Sequence, residues 1–295
     1  MKKSLILSVV HKMPFAAVKP FLVSLRQTGF TGDVVFFVSN ASLGMSEDLR
    51  RHGVRVIPFG LWTIRMRRPV VMFWPLWRRL LAGKRSFEWK RDLARRVYNL
   101  FFQRFVLLHD FLAAEGAAYG RVMITDCRDV IFQRDPLDLP LDIGLWCFLE
   151  AGSQRIGSCP FNRRMIQDCF GPGILSDLGQ ERVSCAGVTL GDSASVLAYL
   201  RAFVERSFSV QRMQMISGSD QGLHNFLVYR GHLPGLRLLT SDDGVVATLG
   251  AVPRAEIRLN AAGEVVTSDD RVIPTLHQYD RHHDLRDKLW KELRE

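Results

Sequence analysis

Short apolar runs rich in β-branched residues alternate with longer stretches of helical periodicity in the first sixty residues. The runs at 5–10, 33–39 and 54–58 are typical of buried strands, and the stretches at 16–27 and 45–52 are typical of helices. Strands joined through helices form parallel sheets, because a parallel connection must cross the face of the sheet. The pattern therefore predicts an α/β fold of Rossmann-like type, a mostly parallel sheet flanked by helices.

The remaining chain continues this alternation without an internal repeat or a linker, so we expect a single domain over 1–295. The predicted helices are 61–81, interrupted by two prolines, then 87–115, 194–208, 220–229 and a polar helix at the C-terminus. The predicted strands are 122–125, 143–149, 183–190 and 272–276.

The positive charge of the chain is concentrated in one segment. The sequence has 40 Lys and Arg against 30 Asp and Glu, and residues 62–104 contain 12 of the basic and only 2 of the acidic residues. Aromatic residues interleave with these arginines, as in segments that contact membrane interfaces; they are Trp62, Phe73, Trp74, Trp77 and Trp89. Three interpretations remain open: a solvated helix face, an anionic membrane surface or lipid-linked acceptor, and an acidic polysaccharide. No nucleic-acid partner is expected, because no known reader motif accompanies the charge.

Cysteine usage and hydropathy indicate the compartment. The five cysteines are widely spaced and include no C-x-x-C pair, which disfavours a disulfide framework or a zinc ribbon and favours a reducing environment. The apolar run at the N-terminus is interrupted at His11 and lacks a cleavage site, and no run approaches the length of a membrane span. We expect a cytoplasmic protein, or one attached peripherally to the inner face of the membrane.

The segment 122–136, VMITDCRDVIFQRDP, places Asp126, Arg128 and Asp129 directly after a predicted buried strand. Open α/β sheets bind ligands at the carboxyl ends of their strands. Two adjacent carboxylates repel each other, and a divalent cation relieves that repulsion. In the alternative interpretation these acids only cap a turn or pair with Arg128 and Arg134.

This segment resembles the DxD region of GT-A glycosyltransferases, the nucleotide-diphospho-sugar transferase superfamily. In that superfamily the motif holds a Mn²⁺ or Mg²⁺ ion that bridges the two phosphates of the donor. The present motif is D-x-x-D, since Cys127 stands two residues before Asp129 and the first acid is Asp126. The departure leaves open whether Asp126 contacts metal, ribose or an arginine.

Three later segments resemble this superfamily in the same order along the chain. SCAGVTLG at 184–191 resembles a small-residue strand beside the acceptor, SDQGLHN at 219–225 resembles a helix start with an acid at the transfer centre, and LHQYDRH at 276–282 resembles the segment that returns a histidine to the metal. The separate alternatives are helix capping for the second segment and a structural histidine for the third.

The resemblance implies roles for individual residues and a division of the domain. The implied metal ligands for Mn²⁺ or Mg²⁺ are Asp126, Asp129 and His277. Asp220 and Gln221 are the implied catalytic residues. The implied donor-binding residues are His11, Arg104, Asp126 and Arg128, and those on the acceptor side are Cys185, Ala186, Gly187, His224 and Asn225. Residues 1–120 would form the nucleotide-binding half with a basic helical insert at 61–115, and residues 121–295 the metal and acceptor half.

The function implied is metal-dependent transfer of a sugar from a UDP- or GDP-sugar to a saccharide or lipid-linked acceptor in surface polysaccharide synthesis. One alternative is a non-catalytic basic module that binds membranes or nucleic acid. Another is a sugar nucleotidyltransferase, which shares the fold but normally carries a glycine-rich phosphate loop after the first strand. The sequence has HKMP at 11–14 in that place.

Overall fold

The computed structural model describes residues 2–39, 44–60, 73–140, 142–212 and 219–293. Its strands are β1 Lys3–His11, β2 Asp33–Ser39, β3 Val54–Pro58, β4 Tyr119–Thr125, β5 Val130–Phe132, β6 Leu145–Leu149, β7 Ser184–Asp192, β8 Leu236–Leu239, β9 Val246–Thr248 and β10 Thr275–His277. Its α-helices are α1 Lys19–Gln27, α2 Met45–Arg51, α3 Trp74–Ala82, α4 Phe87–Val97, α5 Leu100–Glu115, α6 Pro160–Phe170, α7 Pro172–Leu178, α8 Ser193–Ser207, α9 Ser219–Arg230 and α10 His283–Glu292.

The main sheet has seven strands in the order β3-β2-β1-β4-β7-β6-β8. Strand β1 pairs in parallel with both β2 and β4, β2 pairs in parallel with β3, and β6 pairs in parallel with β8. Strand β7 runs antiparallel to both of its neighbours, β4 and β6. The expectation of an α/β fold with a mostly parallel sheet flanked by helices is therefore confirmed.

The sheet is covered on both faces, and the alternation of side chains along β1 shows this directly. Leu5 and Leu7 pack into a core formed with α4, α5, α8 and α9, whereas Ile6 packs into a second core formed with α1 and α2. All three side chains are fully buried. A central strand of a parallel sheet is covered on both faces, so it reads as a continuous apolar run, as β1 does.

A second, three-stranded sheet in the order β5-β10-β9 positions the segment around residue 277. Strand β10 is antiparallel to β5, with His277 opposite Val130, and parallel to β9. Because β5 begins one residue after Asp129, this pairing brings the segment near residue 277 to the acidic motif at the end of β4. The observed strand is three residues long and lies at Thr275–His277, so the predicted strand at 272–276 was displaced.

The predicted single helix at 87–115 is wrong, because it is two helices that meet at Asn99. Tyr98 is extended, and the Asn99 side chain accepts a hydrogen bond from the Phe102 backbone N–H at 3.1 Å. Asparagine is a favoured N-cap, since its oxygen satisfies a backbone donor of the first turn. The apolar periodicity continues across the break because both helices pack on the same core. Of the predicted helix at 61–81, residues 61–72 lie outside the described part, and the rest corresponds to α3.

Among the helices in the described part of the chain, none is both long enough and apolar enough to cross a membrane.

Candidate metal centre and its cavity

Two acids from the middle of the sequence and a histidine from near its C-terminal end meet at one point. Asp126 follows β4, Asp129 precedes β5, and His277 ends β10. One ligand atom from each of the three lies within 4.8 Å of those of the other two. The Gln278 backbone N–H donates to the Asp129 carbonyl at 2.7 Å, so the β5–β10 pairing continues to the site itself. These three residues could hold a metal ion.

The hydrogen bonding of His277 fits a metal ligand. Its Nδ1 lies 3.4 Å from the Thr248 hydroxyl and 3.5 Å from the Cys185 thiol. Its Nε2 is buried, has no hydrogen-bond partner among the described residues and lies 4.0 Å from Asp129 Oδ1. A proton on Nδ1, donated to Thr248, leaves the Nε2 lone pair directed towards the acids. Carboxylate oxygens with one imidazole suit Mn²⁺, and the oxygens also suit Mg²⁺.

Gly187 leaves the space in which an ion would lie. A Cβ atom at this position would stand 2.5 Å from His277 Nε2 and 3.2 Å from Asp126 Oδ2. The Gly187 carbonyl accepts a hydrogen bond from the Asp126 backbone N–H at 2.8 Å, which fixes the strand against the acid. Any larger residue would occupy the space beside the His277 ring and Asp126 Oδ2.

Asp129 is a buried acid in a mixed electrostatic environment. Burial raises its pKa, His277 and Arg128 lower it, and Asp126 raises it again. Arg128 approaches the carboxylate at 3.1 Å and Arg281 at 3.6 Å. A cation placed between Asp126 and Asp129 would relieve the remaining repulsion.

Arg104 connects this centre to the start of helix α9. Its Nη1 donates to Asp126 Oδ1 and its Nη2 to Asp220 Oδ2, each at 2.7 Å. Burial alone would lower the pKa of the guanidinium, but Asp220 and Asp126 outweigh it and raise the pKa. Burial raises the pKa of Asp220, and Arg104 opposes that rise. The second oxygen of Asp220 accepts the Gln221 backbone N–H at 3.0 Å, so both carboxylate oxygens are engaged.

Gln221 attaches α9 to the neighbouring strand. Its Oε1 accepts from the Ala186 N–H at 2.8 Å, and its Nε2 donates to the Ser184 carbonyl at 2.9 Å. A β-bulge interrupts the pairing of β6 with β7 at this point. The backbone groups of Ala186 and Ser184 therefore form hydrogen bonds with the Gln221 side chain. Gln221 therefore holds the strand of small residues in place beside the metal ligands.

The centre opens into a cavity of about 530 Å³. Its charged lining comprises three arginines and four carboxylic acids, which are Arg104, Arg128, Arg281, Asp126, Asp129, Glu150 and Asp220. Ten residues proposed from the sequence line it: Arg104, Asp126, Arg128, Asp129, Cys185, Ala186, Gly187, Asp220, Gln221 and His277.

Three of the proposed site residues do not line this cavity. His224 is fully buried between the Ser184 hydroxyl at 2.9 Å and the Tyr199 hydroxyl at 2.7 Å, and burial lowers its pKa to about 3. Asn225 is also buried and bonds the backbone N–H and carbonyl of Ser184 at 2.9 Å each. His11 ends β1, where burial lowers its pKa. The acceptor role expected for His224 and Asn225 gives way to a structural one, because their polar atoms are satisfied inside the fold.

The sequence interpretation missed Glu150 and Arg281, which both line the cavity. Glu150 follows β6 directly, at the carboxyl end of a strand that was predicted, so the same rule that selected Asp126 could have found it. Arg281 lies in the segment that was singled out for His277.

No protein-family model matches the chain, and no curated protein matches it significantly.

Proposed function

We propose that this protein is a metal-dependent glycosyltransferase that uses a nucleoside diphosphate sugar as donor. The observation that supports this most strongly is the meeting of Asp126, Asp129 and His277, with His277 Nε2 buried and without a partner in the part of the chain that the structure describes. Residues at such a separation in sequence reach one point only because the small sheet returns the chain to β4. A buried imidazole nitrogen without a partner is costly unless a ligand completes it.

The charges in the cavity suit a pyrophosphate once a divalent cation is present. Without a cation the four acids exceed the three arginines. A divalent ion reverses this balance and makes the cavity positive, as a diphosphate leaving group requires. The side chains of Arg128 and Arg281 are 45% and 46% exposed, so both can turn towards phosphate oxygens.

The mechanism proposed follows from what each side chain can do. Bound at this site, the ion supplies Lewis-acid stabilisation of the diphosphate charge. Arg128 and Arg281 add positive charge to the same oxygens. Arg104 holds Asp126 and Asp220 at fixed distances, and Asp220 acts as a positioning carboxylate because both of its oxygens are already bonded. Gly187 and Ala186 leave room for a sugar ring close to the backbone.

Thermal denaturation with and without ligands tests this function. We expect Mn²⁺ with UDP or GDP to stabilise the protein by about 2.7 kcal/mol at a ligand concentration one hundred times Kd. A screen of UDP- and GDP-sugars should then identify one from which free UDP or GDP is released. A protein that is stabilised neither by Mn²⁺ with UDP nor by Mn²⁺ with GDP would instead favour the non-catalytic basic module. Release of pyrophosphate from a nucleoside triphosphate and a sugar phosphate would indicate the nucleotidyltransferase.

The basic segment supports a further part of this proposal, attachment to an anionic membrane surface that presents a lipid-linked acceptor. Within its described part, Phe73, Leu76 and Trp89 are 45%, 50% and 41% exposed. Trp74 and Trp77 pack partly against the core and are less suited as anchors than the sequence suggested. Cytoplasmic location at the inner face and a role in surface polysaccharide synthesis belong to the same proposal.

Sedimentation with vesicles tests the membrane part. Vesicles containing phosphatidylglycerol should bind the protein, and binding should weaken as salt is raised. Binding that does not depend on lipid charge or salt would contradict this part without affecting the metal site.

A further inference from the structure

Glu150 lies at the junction of two cavities. It lines the cavity of the candidate metal centre and also a second cavity of about 440 Å³. Of the described residues, Glu150 alone lines both. The two cavities are therefore neighbours, and Glu150 is the residue that they share.

The carboxyl group of Glu150 has no lysine or arginine partner among the residues that the structure describes. In the described part of the chain, each of the other three acids of the metal cavity has an arginine within 4.0 Å, and Glu150 has neither an arginine nor a lysine at that distance. Its hydrogen bond from Gln221 Nε2 to Oε1 is long, at 3.5 Å. Burial raises its pKa to about 7, whereas a hydrogen bond with Cys185 lowers it. A carboxyl group in this state can accept a proton near neutral pH.

Two contacts place Glu150 beside the reacting region. Gln221, which touches its carboxylate, follows Asp220 in α9. Cys185, its other neighbour, lies 3.5 Å from Nδ1 of His277. Cys185 thus lies between Glu150 and the proposed metal ligand His277. Gln221 lies between Glu150 and the Arg104–Asp220 pair.

The second cavity has the mixed lining that suits a sugar. Apolar side chains such as Leu249 and Val265 come from the core of the small sheet, and Ser241 and Ser268 add hydroxyl groups. Sugar rings combine apolar C–H faces with hydroxyl groups that need hydrogen-bond partners. Asp242 and Arg258 also line the cavity and can hydrogen-bond to such hydroxyl groups.

We propose that the second cavity binds a carbohydrate acceptor and that Glu150 removes the proton from its attacking hydroxyl group. The step rests on the proposed glycosyl transfer. The O–H proton passes to a Glu150 oxygen, and the hydroxyl oxygen forms a bond to the anomeric carbon. The bond from that carbon to the diphosphate oxygen breaks, and its electron pair leaves with the nucleoside diphosphate. A single displacement of this kind inverts the anomeric configuration.

The first experiment compares Glu150→Ala with Glu181→Gln, a variant at an exposed glutamate outside both cavities. We expect Glu150→Ala to lower kcat by about 10²–10⁴-fold, the usual contribution of general-base catalysis. Added formate should restore part of this activity by supplying a carboxylate. Stabilisation by Mn²⁺ and UDP or GDP should stay at the wild-type level in both variants. Wild-type kcat in Glu150→Ala, absence of rescue by formate, or a product that retains the donor configuration would overturn the proposal.

The second experiment addresses the acceptor cavity with a panel of methyl hexosides. Ser241→Trp should raise the KM for the hexoside at least tenfold and leave the KM for the donor unchanged, whereas Ser209→Trp, on an exposed residue elsewhere, should change neither. An unchanged hexoside KM, or transfer to water alone, would overturn the assignment of this cavity. If the wild-type protein neither binds UDP or GDP with Mn²⁺ nor cleaves a nucleotide sugar, the proposed function itself fails, which is a separate result.

Discussion

Replacing Glu150 with glutamine should stabilise the protein at alkaline pH. Burial raises the pKa of Glu150 from 4.5 to about 7, so the ionised form is the one that the fold disfavours. Between these two values the folded protein binds more protons than the unfolded chain, and the free energy of unfolding falls as pH rises. Each pKa unit corresponds to about 1.4 kcal/mol, so ionised Glu150 costs about 3 kcal/mol at pH 8.

The measurement is urea denaturation of the wild-type protein and Glu150→Gln at pH 4.5 and pH 8. Glutamine keeps the shape of the side chain and has no charge to bury. We expect the free energy of unfolding of Glu150→Gln to exceed that of the wild-type protein by about 2–3 kcal/mol at pH 8. At pH 4.5 the two free energies should differ little. Titration of groups that do not interact with Glu150 cancels in this difference, and Glu181→Gln serves as the control at an exposed position outside both cavities. The same difference at both pH values would refute the reasoning and would mean that solvent reaches the Glu150 carboxylate.

Three further predictions concern the metal centre and its support. Asp129→Asn and His277→Gln should each abolish the stabilisation by Mn²⁺ in thermal denaturation, and a variant that kept it would contradict the proposed ligand set. Gly187→Ala should also abolish the stabilisation by Mn²⁺, because its methyl group would stand 2.5 Å from His277 Nε2. A wild-type affinity for Mn²⁺, measured by calorimetry, would show that β7 shifts to make room for the methyl group. Arg104→Met should destabilise the fold by about 3–5 kcal/mol, because it leaves buried Asp220 without its cation. Adding Asp220→Asn to Arg104→Met should recover part of that loss. If the changes in free energy of unfolding of the two single variants simply add in the double variant, Arg104 and Asp220 are not coupled.

The sequence predicts the parts of this molecule that depend on local pattern. The strands near 5–10, 33–39 and 54–58 follow from short β-branched runs between helical stretches, and β1, β2 and β3 lie where expected. The break at Asn99 was missed, because apolar periodicity reports which face is buried and both helices bury theirs in one core. The capping preference of asparagine was the available signal.

The outcomes for His224 and Asn225 show why the site could be predicted only in part. Both stand within two turns of Asp220 on the same helix, and the sequence does not tell which polar side chain faces a cavity and which faces a strand. In the structure, His224 meets Tyr199 from α8 and Ser184 from β7. Tertiary packing determines these hydrogen-bond partners of His224, because they are distant from it in sequence.

The unusual D-x-x-D spacing has a physical explanation in the two oxygens of Asp126. Oδ1 accepts the Arg104 guanidinium at 2.7 Å, and Oδ2 is the oxygen nearest the space kept open by Gly187. The sequence left metal and arginine as alternative partners of Asp126, but one carboxylate can serve both at once. With Oδ1 engaged, Asp126 can give an ion a single oxygen, so Asp129 and His277 must supply the other protein ligands. Arg104 thereby joins the candidate ligand set to Asp220, so the geometry of an ion bound here would also depend on helix α9.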